Sequence, residues 1–337
     1  MSGFTRSIKD LHLDLTNRCT ARCPQCLRYN PNYRLKSGLN KNDLSFDLIK
    51  SQIDKSIFEN CDQVTHSGTT GDPTMNPEIV PIIDYIQKIN PKIFVRIHTN
   101  GDMHDPDWWY NFGLLMKNTP SDVQFAIDGL SDTHELYRVN TKYERIIENA
   151  KAFIKSGASS SWQFIYFKHN QHQLSEVREL ASQLGFKRFK PLRSTRFIFN
   201  NKTKVTNKGK TWFLEPSTII NEEMITGLDS KKDCISCQSM DYKMIYIYPD
   251  GTVWPCYFLG GIHVWNKNDP HLQIDLSIIK REIGELPTIH DDTLSNILKS
   301  KQWNKWQFVL KGYLVTCKQQ CSGVSTEQEE FGLGFNL

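Results

Sequence analysis

Along residues 10–200, short apolar stretches alternate with longer segments of helical period. Candidate strands occupy Leu11–Leu15, Gln63–His66, Ile93–His98, Val123–Ile127, Trp162–Phe167 and Lys187–Leu192. Helical patterns run between them over Phe46–Phe58, Pro77–Ile89, Asp107–Met116, Tyr143–Ser156 and Leu174–Leu184, several opened by Asp, Ser or Pro and closed by Asn or Gly. This alternation predicts an α/β fold with a parallel sheet wrapped by helices. Six such units are fewer than the eight of a closed barrel, so a partial barrel and a doubly wound sheet both fit. Asn200–Thr211 is polar, without period, and reads as a linker or long surface loop. Beyond it, Lys243–Tyr248 and Thr252–Phe258 alternate around Pro249-Asp250-Gly251, which predicts a β-hairpin, and a helix is expected from Thr293 to Leu310. The chain then divides into residues 1–199, a linker or insertion at 200–233, and a small α+β domain at 234–337.

A chain of 337 residues with 39% hydrophobic and 23% charged positions buries a core without disulfide staples, so its nine cysteines need another explanation. No apolar run approaches the ~18 residues of a membrane span, and the N-terminus lacks the apolar core of a secretory signal. A cytoplasmic location without a membrane partner is expected. Thiols persist in a reducing compartment, where clustered cysteines read as metal or catalytic sites. The net charge of +4 is slight, and the short basic grouping Lys187, Arg188, Lys190, Arg193 and Arg196 is no nucleic-acid footprint.

Cys19, Cys23 and Cys26 form C-x3-C-x2-C directly after the first strand. Three thiolates on one tight loop hold three irons of a [4Fe–4S] cluster and leave the fourth iron open to a small chelating ligand. Structural zinc is the alternative reading, but a closed zinc site wants four ligands, and only His12 on the preceding strand lies near the three.

This triplet after the first strand of a partial (β/α)6 TIM-like barrel resembles the radical S-adenosylmethionine (SAM) superfamily. The resemblance implies a SAM-binding [4Fe–4S] cluster, SAM as cofactor, reductive cleavage to a 5′-deoxyadenosyl radical, and a reductant such as flavodoxin or ferredoxin. Thr70-Gly71-Asp72-Pro73 is similar to the family's Gly-Gly-Glu-Pro segment, which implies that Gly71 and Asp72 meet the methionine ammonium. Thr99-Asn100-Gly101 matches the family's Thr-Asn-Gly, and Ala126-Ile127-Asp128-Gly129 resembles its Ser-Ile-Asp-Gly. By the same resemblance Thr99, Asn100 and Asp128 belong to the SAM site, Arg138 takes the SAM carboxylate, and His134 helps position that loop. Gln25 stands where the family usually has an aromatic residue near the adenine, so adenine contact is expected from Pro191-Leu192, with Leu192 as the candidate.

Five more cysteines, Cys234, Cys237, Cys256, Cys317 and Cys321, follow the polar stretch, and Gly251–Cys256 reads G-x4-C. This region resembles the SPASM domain, or its shortened twitch form, which carries auxiliary clusters in radical SAM enzymes. Aligning Cys317 and Cys321 on the last two cysteines of the full C-x2-C-x5-C-x3-C pattern puts Phe308 and Lys311 at the first two. One auxiliary [4Fe–4S] cluster is therefore implied, on Cys234, Cys237, Cys256 and Cys321, with Cys317 as a spare or substitute ligand. A four-cysteine zinc site fits the same spacing. Cys61 stands alone and is assigned no role.

The resemblance implies hydrogen abstraction from a peptide or protein substrate, assisted by the auxiliary cluster. Dehydrogenation of a small aminocyclitol or sugar alcohol, RNA modification, and a non-catalytic iron–sulfur or zinc protein are the alternatives. Cyclisation of GTP is disfavoured, because that relative carries a Gly-Gly tail and this sequence ends Gly334-Phe335-Asn336-Leu337. His66, Asp72, His98, His169 and Arg193, at or near strand C-terminal ends, are candidates for the substrate cavity.

Overall fold

The computed structural model describes residues 8–29, 34–36, 39, 41–194, 196–197, 202–219, 237–241, 243–261, 270–310 and 314–321. Its strands are β1 (Asp10–Leu13), β2 (Gln63–His66), β3 (Phe94–Thr99), β4 (Ser121–Ala126), β5 (Ser160–Tyr166), β6 (Arg188–Arg193), β7 (Thr203–Asn207), β8 (Lys210–Leu214), β9 (Met244–Ile247) and β10 (Val253–Trp254). Each of the first six lies within two residues of its expected place.

One eight-stranded sheet runs in the order β10-β9-β1-β2-β3-β4-β5-β6. Strands β1 to β6 are parallel and neighbours in space in the order of the chain. A doubly wound sheet reverses direction at a switch point. Here there is none, and the architecture is the open, partial barrel.

Paired residues of parallel strands share a face, so the register sorts the side chains. Leu11, Val64, Val95, Val123 and Trp162 are buried on one face, in the apolar core under the helices. The other face, the interior, receives His12, Thr65, Arg96, Asp122, Gln124, Ser161, Gln163, Arg188 and Lys190. Most closed barrels fill this space with branched apolar residues. A polar interior costs stability unless its groups are paired, and it sets the chemistry of the cavity above it.

The hairpin after the polar stretch does not stand apart from the barrel. β9 pairs in parallel with β1, Asp10 against Met244 through Leu13 against Ile247, and so extends the sheet past its first strand. Its return arm is shorter than expected: β10 stops at Trp254, and the helix Tyr257–Gly260 begins directly after Cys256.

Three expectations change in detail. The helix over Phe46–Phe58 is two helices, Phe46–Gln52 and Lys55–Asn60, because Ile53 and Asp54 leave helical dihedrals and let Ile57 and Phe58 turn inward. The helix from Thr293 to Leu310 is broken into Leu294–Lys299, Lys301–Asn304 and Trp306–Val309, with Ser300 Oγ capping the second by accepting from Trp303 N at 3.0 Å. The stretch read as a loop holds the antiparallel pair β7–β8, turned at Lys208 (φ 47°) and Gly209 (φ 77°), the double left-handed geometry of a two-residue hairpin. No helix among the described residues is long and apolar enough to cross a membrane.

Candidate active site

The loop after β1 carries Cys19, Cys23 and Cys26 over the C-terminal ends of the strands. Val205 and Leu214 of the β7–β8 hairpin bury Ala21 and Cys23 in a small apolar group with Tyr137, Ile165 and Phe167. Trp212 Nε1 fastens the hairpin by donating to Leu136 O at 2.9 Å. Gln25 belongs to the same fastening: its Oε1 accepts from Ser194 Oγ at 2.9 Å and its Nε2 donates to Thr203 Oγ1 at 3.3 Å. The three thiols open onto a cavity of about 650 Å³, its mouth included, walled also by Gly71, Asp72, His98, Asn100, Gln124 and Arg138.

The loop after β2 approaches the cysteine loop so closely that a Cβ on Gly71 would lie 2.0 Å from Thr16 O. Only glycine fits there. Asp72 caps the short helical turn Pro73–Met75, accepting from Thr74 N at 3.1 Å and Thr74 Oγ1 at 2.7 Å, while its other oxygen accepts from Asn100 N at 2.7 Å. Thr99 Oγ1 donates to the same carboxylate at 3.0 Å. Burial raises the Asp72 pKa despite these donors. Asn100 Nδ2 points at Cys19 Sγ, 3.4 Å away. Gly71, Asp72, Thr99 and Asn100, singled out from two short motifs, are thus one hydrogen-bonded wall.

Asp128 and Arg138 form a second unit, with Arg138 Nε donating to Asp128 Oδ2 at 2.5 Å and Nη1 lying 3.7 Å from Cys23 Sγ. Burial opposes the Arg138 charge, but the Asp128 carboxylate and the Cys23 thiol outweigh it and raise its pKa. His134 Nδ1 accepts from Asp128 N at 3.1 Å, and burial, with Arg138 nearby, lowers its pKa to about 3. The ring is neutral and acts as a fixed prop.

Other candidates are placed less simply. Leu192 packs at the edge of the apolar group around Cys23. Of the substrate-cavity candidates, Asp72 and His98 line the wall. His66 Nδ1 is held by Leu13 O at 2.7 Å, His169 stacks on Phe167 at 5.4 Å, and Arg193 donates to Ser217 O at 3.2 Å. Asp14 went unnoticed in the sequence. Its carboxylate, fully buried, accepts from Gly68 N at 2.9 Å, Thr69 N at 2.8 Å and the Tyr246 hydroxyl of β9 at 2.8 Å. Thr70 Oγ1 donates to the Tyr248 hydroxyl at 3.0 Å. The polar Asp at the end of an apolar strand was the available signal, but its partner is distant in sequence.

A second, smaller cavity is lined by Cys237, Cys256, Cys317 and Cys321 with apolar neighbours such as Met244, Tyr257 and Leu310. Cys317 and Cys321 share a face of the helix Val315–Cys321, whose first amides, Val315 N and Thr316 N, donate to the two oxygens of buried Asp275 at 2.7 and 2.8 Å. Cys317, expected as a spare or substitute ligand, lines the cavity with Cys237, Cys256 and Cys321, and Cys234 lies outside the described residues. Burial raises the Cys256 and Cys317 thiol pKa values, and their proximity to the other thiols adds to the rise. Among the described residues no three metal-binding side chains converge on the space of a single ion. Both thiol sets instead line cavities.

The family model for the radical SAM superfamily matches residues 13–182, and that for an iron-sulfur cluster-binding domain, SPASM, matches residues 237–322. The chain belongs to the radical SAM superfamily. It is an enzyme of that superfamily with a C-terminal SPASM-type domain, and its cofactors are [4Fe–4S] clusters and SAM. A GTP 3′,8-cyclase of Clostridium perfringens is 23% identical over 317 residues, covering 86% of this chain and 93% of the relative. Streptococcus suis SuiB bound to SAM is similar with a TM-score of 0.54 at 12% identity, covering 94% of this chain and 71% of SuiB. SuiB is also solved with its precursor peptide SuiA. The structure of anSMEcpe with SAM and the Cp18Cys peptide has a TM-score of 0.53 at 14% identity, covering 93% and 86%.

Proposed function

We propose that this radical SAM enzyme removes a hydrogen atom from a peptide or protein substrate held in the cavity at the strand ends. Cys19, Cys23 and Cys26 would hold the SAM-binding cluster, and Cys237, Cys256, Cys317 and Cys321 the auxiliary one. The donor set fits: three thiols face an open cavity with a polar wall, whereas four thiols share a smaller one. When bound, cluster and SAM supply an electron and a 5′-deoxyadenosyl group, the chemistry of hydrogen abstraction.

The protein's own residues supply position and exclusion. Asn100 and Arg138 place donors beside Cys19 and Cys23. Asp72 fixes the loop after β2 against the end of β3, and Gly71 gives that loop its close approach. The observation that carries the reading is that the sheet is continuous from one cavity to the other, with Tyr246 and Tyr248 tying the auxiliary hairpin to the loop after β2. The peptide class is supported by SuiB and anSMEcpe, both solved with peptides. Flavodoxin or ferredoxin would serve as reductant.

The test is anaerobic reconstitution followed by reduction in the presence of SAM. About eight irons with matching sulfide per chain and release of 5′-deoxyadenosine are expected. Zinc in place of iron, or no 5′-deoxyadenosine from iron-loaded protein, would overturn the reading.

A further inference from the structure

The floor of the barrel cavity carries a chain of side chains that the loops above it do not use. Lys190 Nζ donates to Gln124 Oε1 at 2.9 Å, and Gln124 Nε2 donates to Gln163 Oε1 at 2.5 Å. An ammonium only donates, so it fixes the sense of the chain: each amide turns its carbonyl back toward Lys190 and its NH2 forward. Gln163 therefore presents Nε2 at the cavity wall that it forms with Gln124 and His98. His98 pairs with Gln124 in the sheet register, and its Nε2 has no hydrogen-bond partner among the described residues.

The charges around this floor are unevenly matched. Asp122 is taken by Arg188 at 3.1 Å and by Ser161 Oγ at 2.8 Å. Asp10 is taken by His12 at 3.3 Å and by Gln63 at 3.3 Å. Lys190 has a neutral amide as its hydrogen-bond partner; burial lowers its pKa to about 8, the nearby Asp122 carboxylate counters that fall, and Arg96 and Arg188 add to it. An anion on the far side of the relay would relieve that cost.

We propose that Gln163, oriented by Lys190 through Gln124, and the adjacent His98 form a subsite for a carboxylate of the substrate, so that the substrate of this enzyme is a peptide that presents a carboxylate there. The proposal rests on the reading of this cavity as the substrate site. The carboxylate has two possible sources, an acidic side chain or a free C-terminus. A donor-only amide and a cation behind it recognise both alike.

The experiment uses the anaerobically reconstituted enzyme loaded with SAM, and measures binding of three peptides by equilibrium dialysis. They are Ala-Glu-Ala blocked at both ends, Ala-Gln-Ala blocked at both ends, and Ala-Gln-Ala with a free C-terminus. At least one carboxylate peptide is expected to bind about tenfold or more tightly than the fully blocked Gln peptide, as for hydrogen bonds to a charged group. Which of the two does so identifies the source. Lys190→Gln should erase the preference and Lys190→Arg should retain it, with iron content reporting that the barrel is folded. If Lys190→Gln loses its iron, Gln163→Leu carries the same expectation. Equal binding of all three, binding of none, or an intact preference in the folded Gln variants would overturn the proposal. Absence of 5′-deoxyadenosine would defeat the enzyme reading instead, and leaves the peptide preference measurable.

Discussion

The cavity at the strand ends and the cavity beneath the C-terminal helix both gather cysteines, yet their walls are made differently. The first takes its three thiols from a single loop, and beside Ala21 and Ala126 its wall carries many polar side chains, among them Asp72, Asn100, Arg138 and the two glutamines of β4 and β5. The second takes four thiols from three separate places in the chain, and its wall is largely hydrocarbon. Local cysteines with polar neighbours suit a site that must admit and orient further ligands. Dispersed cysteines in an apolar wall suit a closed site whose assembly is coupled to folding.

The sharpest way to break this comparison is Cys23→Ala. It should abolish 5′-deoxyadenosine release while leaving about four of eight irons, those of the other cavity. Retained cleavage would remove the triplet from the chemistry. Cys317→Ala should do the reverse to the metal, losing the auxiliary cluster and sharply lowering the melting temperature, because that cluster cross-links distant segments. Cys234→Ala should keep the iron; if instead Cys234→Ala loses it and Cys317→Ala does not, the ligand set proposed for the second cavity is wrong.

Smaller effects test the wall of the first cavity. Arg138→Leu leaves Asp128 as a buried, uncompensated carboxylate and should cost about 3–5 kcal/mol in denaturant unfolding. Acid should weaken the fold through His134. Its pKa is about 3 folded against 6.5 for an ordinary histidine, so the unfolded chain binds the extra proton between those values and stability falls as pH drops through that window. The loss from this one ring is about 1 kcal/mol at pH 5.5, and His134→Asn should flatten the slope measured between pH 7 and 5.5. The mildest change is Tyr246→Phe, which removes the hydroxyl reaching Asp14. A loss of about 0.5–1 kcal/mol is expected, with the KM for SAM rising more than kcat falls. An unchanged KM would show that the auxiliary hairpin does not steady the loop after β2.

The sequence reading succeeded where the cause was local. The βα order, the six barrel strands to within two residues and the spacing of the cysteine triplet are each written in contiguous residues. It was silent where partners are far apart. The pairing of β9 with β1 and the Asp14–Tyr246 contact join segments more than two hundred residues apart, and no periodicity reports them. The β7–β8 hairpin was hidden for another reason. Lys204, Thr206 and Lys210 are exposed, so the stretch looked like a solvated loop, although Val205 and Leu214 are buried and Lys208-Gly209 makes a hairpin turn. Gln124 and Gln163 were passed over as ordinary polar residues in otherwise apolar strands. Their meaning depends on Lys190, whose own strand lies at the edge of the sheet.

The parallel seam between β1 and β9 also sets a clock for biosynthesis. β1 leaves the ribosome together with the cysteine loop, but β9 follows roughly 230 residues later, on the order of ten to fifty seconds at ordinary translation rates. Through that interval a hydrophobic strand has one bare hydrogen-bonding edge beside three free thiols, and such an edge readily recruits strands of other chains. A low concentration of nascent chains, with iron and sulfur supplied during expression, is therefore the condition under which this protein should accumulate folded rather than aggregated.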